Sequence, residues 1–289
     1  MTTVKEKLRI LRVNEVMLML GFPFIGVIFA WGEVTSMVII RSLLFLVFTF
    51  FLFSAIYSFN SYCDPGDGLK NHGLLPIKGD GRGELLIFTL VFLGLSLLGY
   101  QFLDTKLVYM GGVSFMLWFF YSLPGRGLKS FPFTGTAVHF VSQVLHFQMG
   151  FYLLSPISEY SLLISVYFAI LFSGGHVHHE LIDYENDMRA KIKTGAIYLG
   201  QHKAFYLSNI LFIISAVFWM SLYGFNVLKS WEFLPFFAAF LLQMATVILL
   251  RMTRGKDFGF LLLNRSLYRV YYLAGGIIYA VLHIVYLGE

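Results

Sequence analysis

The sequence predicts an all-α membrane protein: nine transmembrane helices in a single bundle, with the N-terminus in the cytoplasm. Three observations predict it. The 289 residues are 58% hydrophobic and only 13% charged, with a mean hydropathy of +0.74, against about 25% charged residues in soluble domains. Nine apolar runs approach or reach the roughly 20 residues that a helix needs to cross a hydrocarbon core about 30 Å thick. The basic residues fall almost entirely on one side of the topology that these runs define. Together these exclude a soluble globular enzyme, a disordered chain and a nucleic-acid-binding module. The runs are continuous rather than alternating, which excludes a transmembrane barrel.

In chain order, residues 1–15 carry Lys5, Lys7, Arg9 and Arg12 and read as an anchor at the membrane surface. Glu6 and Glu15 and the lack of a small-residue cleavage site argue against a removable signal peptide. The first two spans are Val16–Trp31 and Val38–Phe59, followed by a long loop, Asn60–Glu84. Spans three and four are Leu85–Leu103 and Leu107–Leu123, and a basic loop leads to span five, Phe133–Leu154. Span six, Tyr160–Val177, precedes a second long loop, His178–Ala204. Phe205–Tyr223, Phe233–Leu250 and Tyr271–Leu287 complete the set, and residues 1–289 read as one domain.

With nine spans, 18 of the 21 Lys and Arg lie on the side of the N-terminus; only Arg41, Lys106 and Lys229 lie opposite. That bias makes the N-terminal side cytoplasmic, in a cell (inner) membrane protein. The net charge of +5 therefore reports topology and identifies no ligand. The single cysteine, Cys63, excludes an intramolecular disulfide, and no structural-zinc spacing of Cys and His occurs.

Acid is distributed differently. The two long cytoplasmic loops hold Asp64, Asp67, Asp80, Glu84, Glu180, Asp183, Glu185 and Asp187, which is 8 of the 16 acidic residues. In the second loop, if helix six continues through it, Glu180, Asp183 and Asp187 share one face. Oxygen ligands so spaced suit Mg²⁺, which takes one or two carboxylates plus substrate phosphates. The competing reading is a solvated helix end with acids paired to Arg189 and Lys191. In the first loop, Asn60 and Asp64 are one turn apart, Pro65-Gly66 favours a turn, and Asp67 follows. Alone this segment is also compatible with an ordinary loop. Each cluster follows an even-numbered span, so the pair suits a Mg²⁺-bound diphosphate at the cytoplasmic side.

These motifs resemble the UbiA superfamily of intramembrane aromatic prenyltransferases. Asn60 and Asp64 match its N-x-x-x-D core, Asp183 and Asp187 its second D-x-x-x-D motif, and Lys193–Gly200 the segment that follows there. Leu74-Leu75-Pro76 resembles the stretch after the first motif, and Tyr121–Lys129 the basic loop after helix four. The chain departs from the pattern at Ser61, Gly68 and Lys191. The resemblance implies a nine-helix bundle that binds an isoprenyl diphosphate through Mg²⁺ and transfers the isoprenyl group to a lipophilic acceptor among membrane lipids. That acceptor is expected to be electron-rich, aromatic or a quinone precursor. It implies catalytic roles for Asp64, Asp183 and Asp187, and metal ligation by Asn60, Asp64, Asp67, Asp183 and Asp187, with Glu180 a further candidate from its place on the shared face. A terpene cyclase without acceptor is the alternative; a transporter or binding protein is a third reading, of a different class.

Supporting residues follow. Lys70, Arg126, Lys129 and Lys193 are candidates for diphosphate oxygens, because Lys and Arg form charge-assisted bonds to phosphate. In span five, His139, Gln143 and His146 form one polar stripe, either a cavity wall near the acceptor or interhelical glue. His176, His178 and His179 precede the second motif; since Mg²⁺ prefers oxygen to imidazole, they are expected to orient carboxylates or touch diphosphate, His176 included.

Overall fold

A hydrocarbon environment leaves no water to satisfy backbone polar groups, so a spanning chain must pair them within each segment. The computed structural model describes residues 12–33, 35–63, 81–124, 127–189, 192–254 and 258–287. Among these the regular structure is entirely helical. Six helices are long and apolar enough to cross a membrane. The outward-facing residues fit a lipid environment: large apolar side chains such as Leu98 and Leu273 are 64% and 65% exposed.

The Cα positions cluster into two compact units, residues 1–161 and 162–289. The first contains α1 (Val13–Met19), α2 (Gly21–Phe29), α3 (Ser36–Cys63), α4 (Gly81–Leu103), α5 (Thr105–Ser122) and α6 (Thr134–Tyr152). Helix α3 packs on α4 and α5, α5 on α6, and α2 on α6. Its core is built on Phe45, Leu52, Phe53, Tyr100 and Phe147, with a Thr49–Tyr100 hydroxyl pair at 2.9 Å tying α3 to α4. Asp104 caps α5 by accepting from the Lys106 amide at 2.7 Å and receives the Tyr152 hydroxyl from the end of α6 at 3.2 Å. At 28 residues α3 is about 42 Å long, so its ends outreach the hydrocarbon layer.

The second unit contains α7 (Glu159–Ile182), α8 (Tyr184–Arg189), α9 (Gly195–Leu199), α10 (Gln201–Gly224), α11 (Ser230–Arg254) and α12 (Leu261–Val285). Trp219 anchors it, stacked on Tyr167 at 4.1 Å, edge-on to Phe236, and donating to the Phe233 carbonyl at 3.1 Å. Near the second acidic motif a separate apolar cluster joins Val177, Leu181, Ala196, Ala204, Phe205, Val247, Leu250, Phe260 and Leu261.

The boundaries differ from the sequence expectation in three places. The first span is two short helices, joined at Leu20 ahead of Pro23, which cannot donate to the ladder. The expected loop His178–Ala204 is largely helical, because α7 runs on to Ile182 and α8 and α9 follow. The last helix begins at Leu261, ten residues before Tyr271, because Leu261, Asn264 and Tyr268 bury one helical face. Arg265 and Arg269 are therefore helical residues rather than loop residues.

Helices α2 and α6 meet backbone to backbone. A Cβ on Gly26 would collide with the Phe147 carbonyl, and one on Gly150 with the carbonyl of Pro23. Small residues permit such close approach in membranes. Replacing Gly150 by Ala is expected to cost about 1–3 kcal/mol through overpacking. It should appear as a lower melting temperature in detergent, whereas Gly94→Ala, where added bulk meets nothing nearby, should leave stability much less affected.

Candidate active site

Helix α3 carries Asn60, the first residue of the first motif, in its last turn. Asn60 Oδ1 accepts from the buried Ser122 hydroxyl at 3.1 Å, which ties the C-terminal turn of α3 to that of α5. Just before it, Phe59 stacks on Phe119 at 4.8 Å. The other residues assigned to this side by sequence, Asp64, Asp67, Lys70 and Arg126, lie outside the described residues. Lys129 lies in a single 3₁₀ turn, Leu128–Ser130, fixed by the Thr134 hydroxyl bonding to the Leu128 carbonyl.

Helix α6 carries the polar stripe. His146 is buried and shares a 2.8 Å hydrogen bond between Nε2 and Ser114 Oγ, with Phe53 edge-on to its ring at 4.7 Å. His139 meets Trp118 at 4.8 Å and Tyr121 at 5.8 Å, both edge-on. Gln143, between them, is wholly buried, and among the described residues neither carboxamide atom has a hydrogen-bond partner. His146 thus ties α6 to α5 through Ser114, and Gln143 keeps donor and acceptor capacity. Burying an unpaired amide is unfavourable, which makes Gln143 the residue of the stripe with most to gain from a polar ligand.

Helix α7 delivers the second motif. The helix ends at Ile182, Asp183 occupies a bend, and Asp187 lies in α8. The continuous face expected for Glu180, Asp183 and Asp187 is therefore interrupted, although the Asp183 amide still bonds the His179 carbonyl at 3.1 Å and the Asp187 amide that of Asp183 at 2.9 Å. Glu180 Oε2 accepts from the Ala196 amide at 3.0 Å, and its Oε1 lies 3.7 Å from His176 Nδ1. With Thr194 accepting from Ile197, Glu180 thus pins the first turn of α9 back onto α7. Lys193 is exposed just before that cap. Asp187 is close enough to Glu180 for the two carboxylates to repel.

The three histidines divide their roles. His176 faces Glu180; His178 Nε2 donates to the Leu261 carbonyl at 3.1 Å; and His179 lies 3.5 Å from Asp183 Oδ2. Arg265 donates from α12 to His179 Nδ1 at 2.8 Å. Sequence reasoning does not find Arg265, although the spacing of Leu261, Asn264 and Tyr268 is the signal that would extend the helix around it. Among the described residues, no three His, Cys, Asp or Glu side chains gather into a metal-binding group. A pair of oxygen donors such as Asp183 and Asp187 still fits Mg²⁺, which needs few protein ligands when phosphate supplies the others.

The pattern of one protein family, the UbiA prenyltransferase family, matches residues 19–267. The chain belongs to the UbiA prenyltransferase family. It is a prenyltransferase, a membrane-embedded enzyme with the helical architecture of UbiA structures. A UbiA homologue from Archaeoglobus fulgidus bound to GPP and Mg²⁺ is 20% identical, with a TM-score of 0.74 over 97% of this chain and 99% of that one. A digeranylgeranylglyceryl phosphate synthase is 16% identical, with a TM-score of 0.73 over 98% and 99%. The apo UbiA homologue from Aeropyrum pernix K1 is 13% identical, with a TM-score of 0.67 over 92% and 98%. At these identities the UbiA structures share the fold with this chain. No curated protein sequence matches it.

Two outcomes follow from the geometry. Glu180→Ala should lose about 1–3 kcal/mol, the cost of leaving the buried Ala196 amide without its acceptor, while Glu180→Gln, which keeps an acceptor for Ala196, should lose less; thermal melts in detergent measure both. Gln143→Met, of similar volume, should hold or raise stability by about 1 kcal/mol by removing an unpaired buried amide. A concurrent rise in acceptor KM would show that the amide serves a ligand.

Proposed function

We propose that this UbiA protein transfers an isoprenyl group from an isoprenyl diphosphate to an electron-rich acceptor, aromatic or a quinone precursor, within the membrane. The observation that carries this reading is the second motif: Asp183 sits at the bend that ends an apolar helix, with His179 beside it, and Asp187 lies in the short helix that follows. The family match and the GPP- and Mg²⁺-bound homologue support it.

In this reading Asn60, Asp64 and Asp67 of the first motif and Asp183 and Asp187 of the second hold Mg²⁺. When bound, the metal neutralises charge on the diphosphate leaving group. Glu180, whose Oε2 is occupied by the Ala196 amide, buttresses the second motif rather than ligating by both oxygens. Lys70, Arg126, Lys129 and Lys193 meet diphosphate oxygens from the loops. The allylic carbon–oxygen bond breaks, and its electron pair leaves with the diphosphate. The acceptor then supplies the electron pair for the new bond and loses a proton. His139, Gln143 and His146 wall the acceptor's polar end, with Gln143 as the group that bonds it. Residues 1–289 act as one catalytic domain with nine spans, the N-terminus and both acidic motifs facing the cytoplasm of a cell membrane; the Lys and Arg bias supports that orientation.

Replacing either Asp64 or Asp183 by Asn is expected to lower turnover about 100-fold or more, the scale seen when transition-state charge loses a stabilising group. The measurement uses purified protein, Mg²⁺, prenyl diphosphates of several lengths and a panel of quinone precursors, with products identified by mass. Full activity in either variant would sink the assignment. A cyclic hydrocarbon formed from diphosphate alone would replace transfer with cyclisation.

A further inference from the structure

The unit of residues 1–161 also contains a polar cavity of about 410 Å³, within the range of small-molecule sites, about 300–1,000 Å³. Its walls come from the end of α2, the turn into α3, the first turns of α3 and the segment after α6. Two opposite charges line it, Glu33 from the turn and Arg41 from α3. Among the described residues neither side chain forms an ion pair or a hydrogen bond, with the other or with any further group. Arg41 is only partly exposed and lies roughly 8 Å in from the start of α3, near the edge of the hydrocarbon layer. On the same face of α3, Met37, Ile40 and Leu44 are exposed apolar residues that fit lipid. An arginine in such a stripe is costly unless its guanidinium meets a partner. Asn60 lies roughly 28 Å further along the same helix, so the cavity is separate from the proposed metal site.

We propose that this cavity binds the headgroup of a phospholipid that ends in a primary ammonium, of the phosphatidylethanolamine type. The phosphate meets Arg41, whose planar fork suits two phosphate oxygens. The ammonium meets the Glu33 carboxylate, and the acyl chains lie along Met37, Ile40 and Leu44. A simple anion would satisfy Arg41 but face repulsion from Glu33; a zwitterion satisfies both. Quaternary ammonium groups are recognised by aromatic faces, and among the described residues no aromatic ring lines the cavity, which favours ethanolamine over choline. The charged cavity runs into an apolar, lipid-facing stripe, which favours a lipid over a soluble phosphate. A bound headgroup bridges the turn that carries Glu33 and the helix that carries Arg41, and so stabilises the folded protein by mass action.

The test titrates full-length protein in detergent with phosphatidylethanolamine, phosphatidylcholine and phosphatidylglycerol of matched acyl chains, and native mass spectrometry counts the bound lipid. The wild type is expected to bind phosphatidylethanolamine about tenfold more tightly than either of the others, the scale of one charge-assisted hydrogen bond. Arg41→Gln should weaken phosphatidylethanolamine binding about tenfold. Glu33→Gln should lower it to the level of phosphatidylcholine and remove the repulsion of phosphatidylglycerol. Equal affinity of the wild type for the three lipids, or tightest binding of phosphatidylglycerol, overturns the proposal. So does phosphatidylethanolamine binding that neither substitution changes. Free phosphoethanolamine at millimolar concentration should leave the bound lipid in place; displacement would give the cavity to a soluble zwitterion and overturn the lipid assignment. Glu33→Gln, in a turn, keeps the test readable if Arg41→Gln fails to fold.

Discussion

Placing an ionised side chain in hydrocarbon costs several kcal/mol, and this constraint shapes the whole molecule. Helix interiors are apolar, and the few charged groups gather at helix ends, where water or a fixed partner reaches them. Asp104 caps α5 and takes the Tyr152 hydroxyl; Glu232 caps α11 by accepting from the Lys229 amide at 2.7 Å. Glu180 holds α9 against α7. In each case one carboxylate accepts from a backbone amide at the start of a helix. The acids of the second motif also gather where a helix ends, and they outnumber what capping needs.

That motif is also where the second unit is tied together. Three consecutive positions of α7 reach two other helices: His178 and His179 meet the first two turns of α12, at Leu261 and Arg265, and Glu180 the first turn of α9. The apolar cluster of Val177, Leu181, Ala196 and Leu261 packs beneath them. These contacts hold the backbone that carries Asp183 and Asp187, the support that the proposed metal site would require.

The sequence made helices, their order and the two acidic motifs legible, because composition and run length are local properties. It also placed Asn60 where the second span ends, whereas the continuous face it offered for Glu180, Asp183 and Asp187 is broken at Asp183. What it did not convey depends on partners far apart in the chain. The start of α12 was obscured because Arg265 and Arg269 interrupt the apolar run, and only packing of Leu261, Asn264 and Tyr268 shows that the helix includes them. The bend at Asp183 and the cap from Glu180 to Ala196 depend on a segment that sequence reads as loop. The polar stripe of α6 was visible as a spacing, yet the division of labour within it follows from Ser114, which bonds His146, and from the absence of any such partner for Gln143.

The glycine seam bears on that stripe in a further way. On one side α6 lies against α2 with Gly26 and Gly150 leaving no side chain between the backbones, so neither helix can slide or roll without collision. The polar side chains project elsewhere, toward α3 and α5. Helix α6 is therefore a stiff mount. In the proposed reading the acceptor meets a Gln143 already held on that mount, and the entropy of ordering it has been spent in folding.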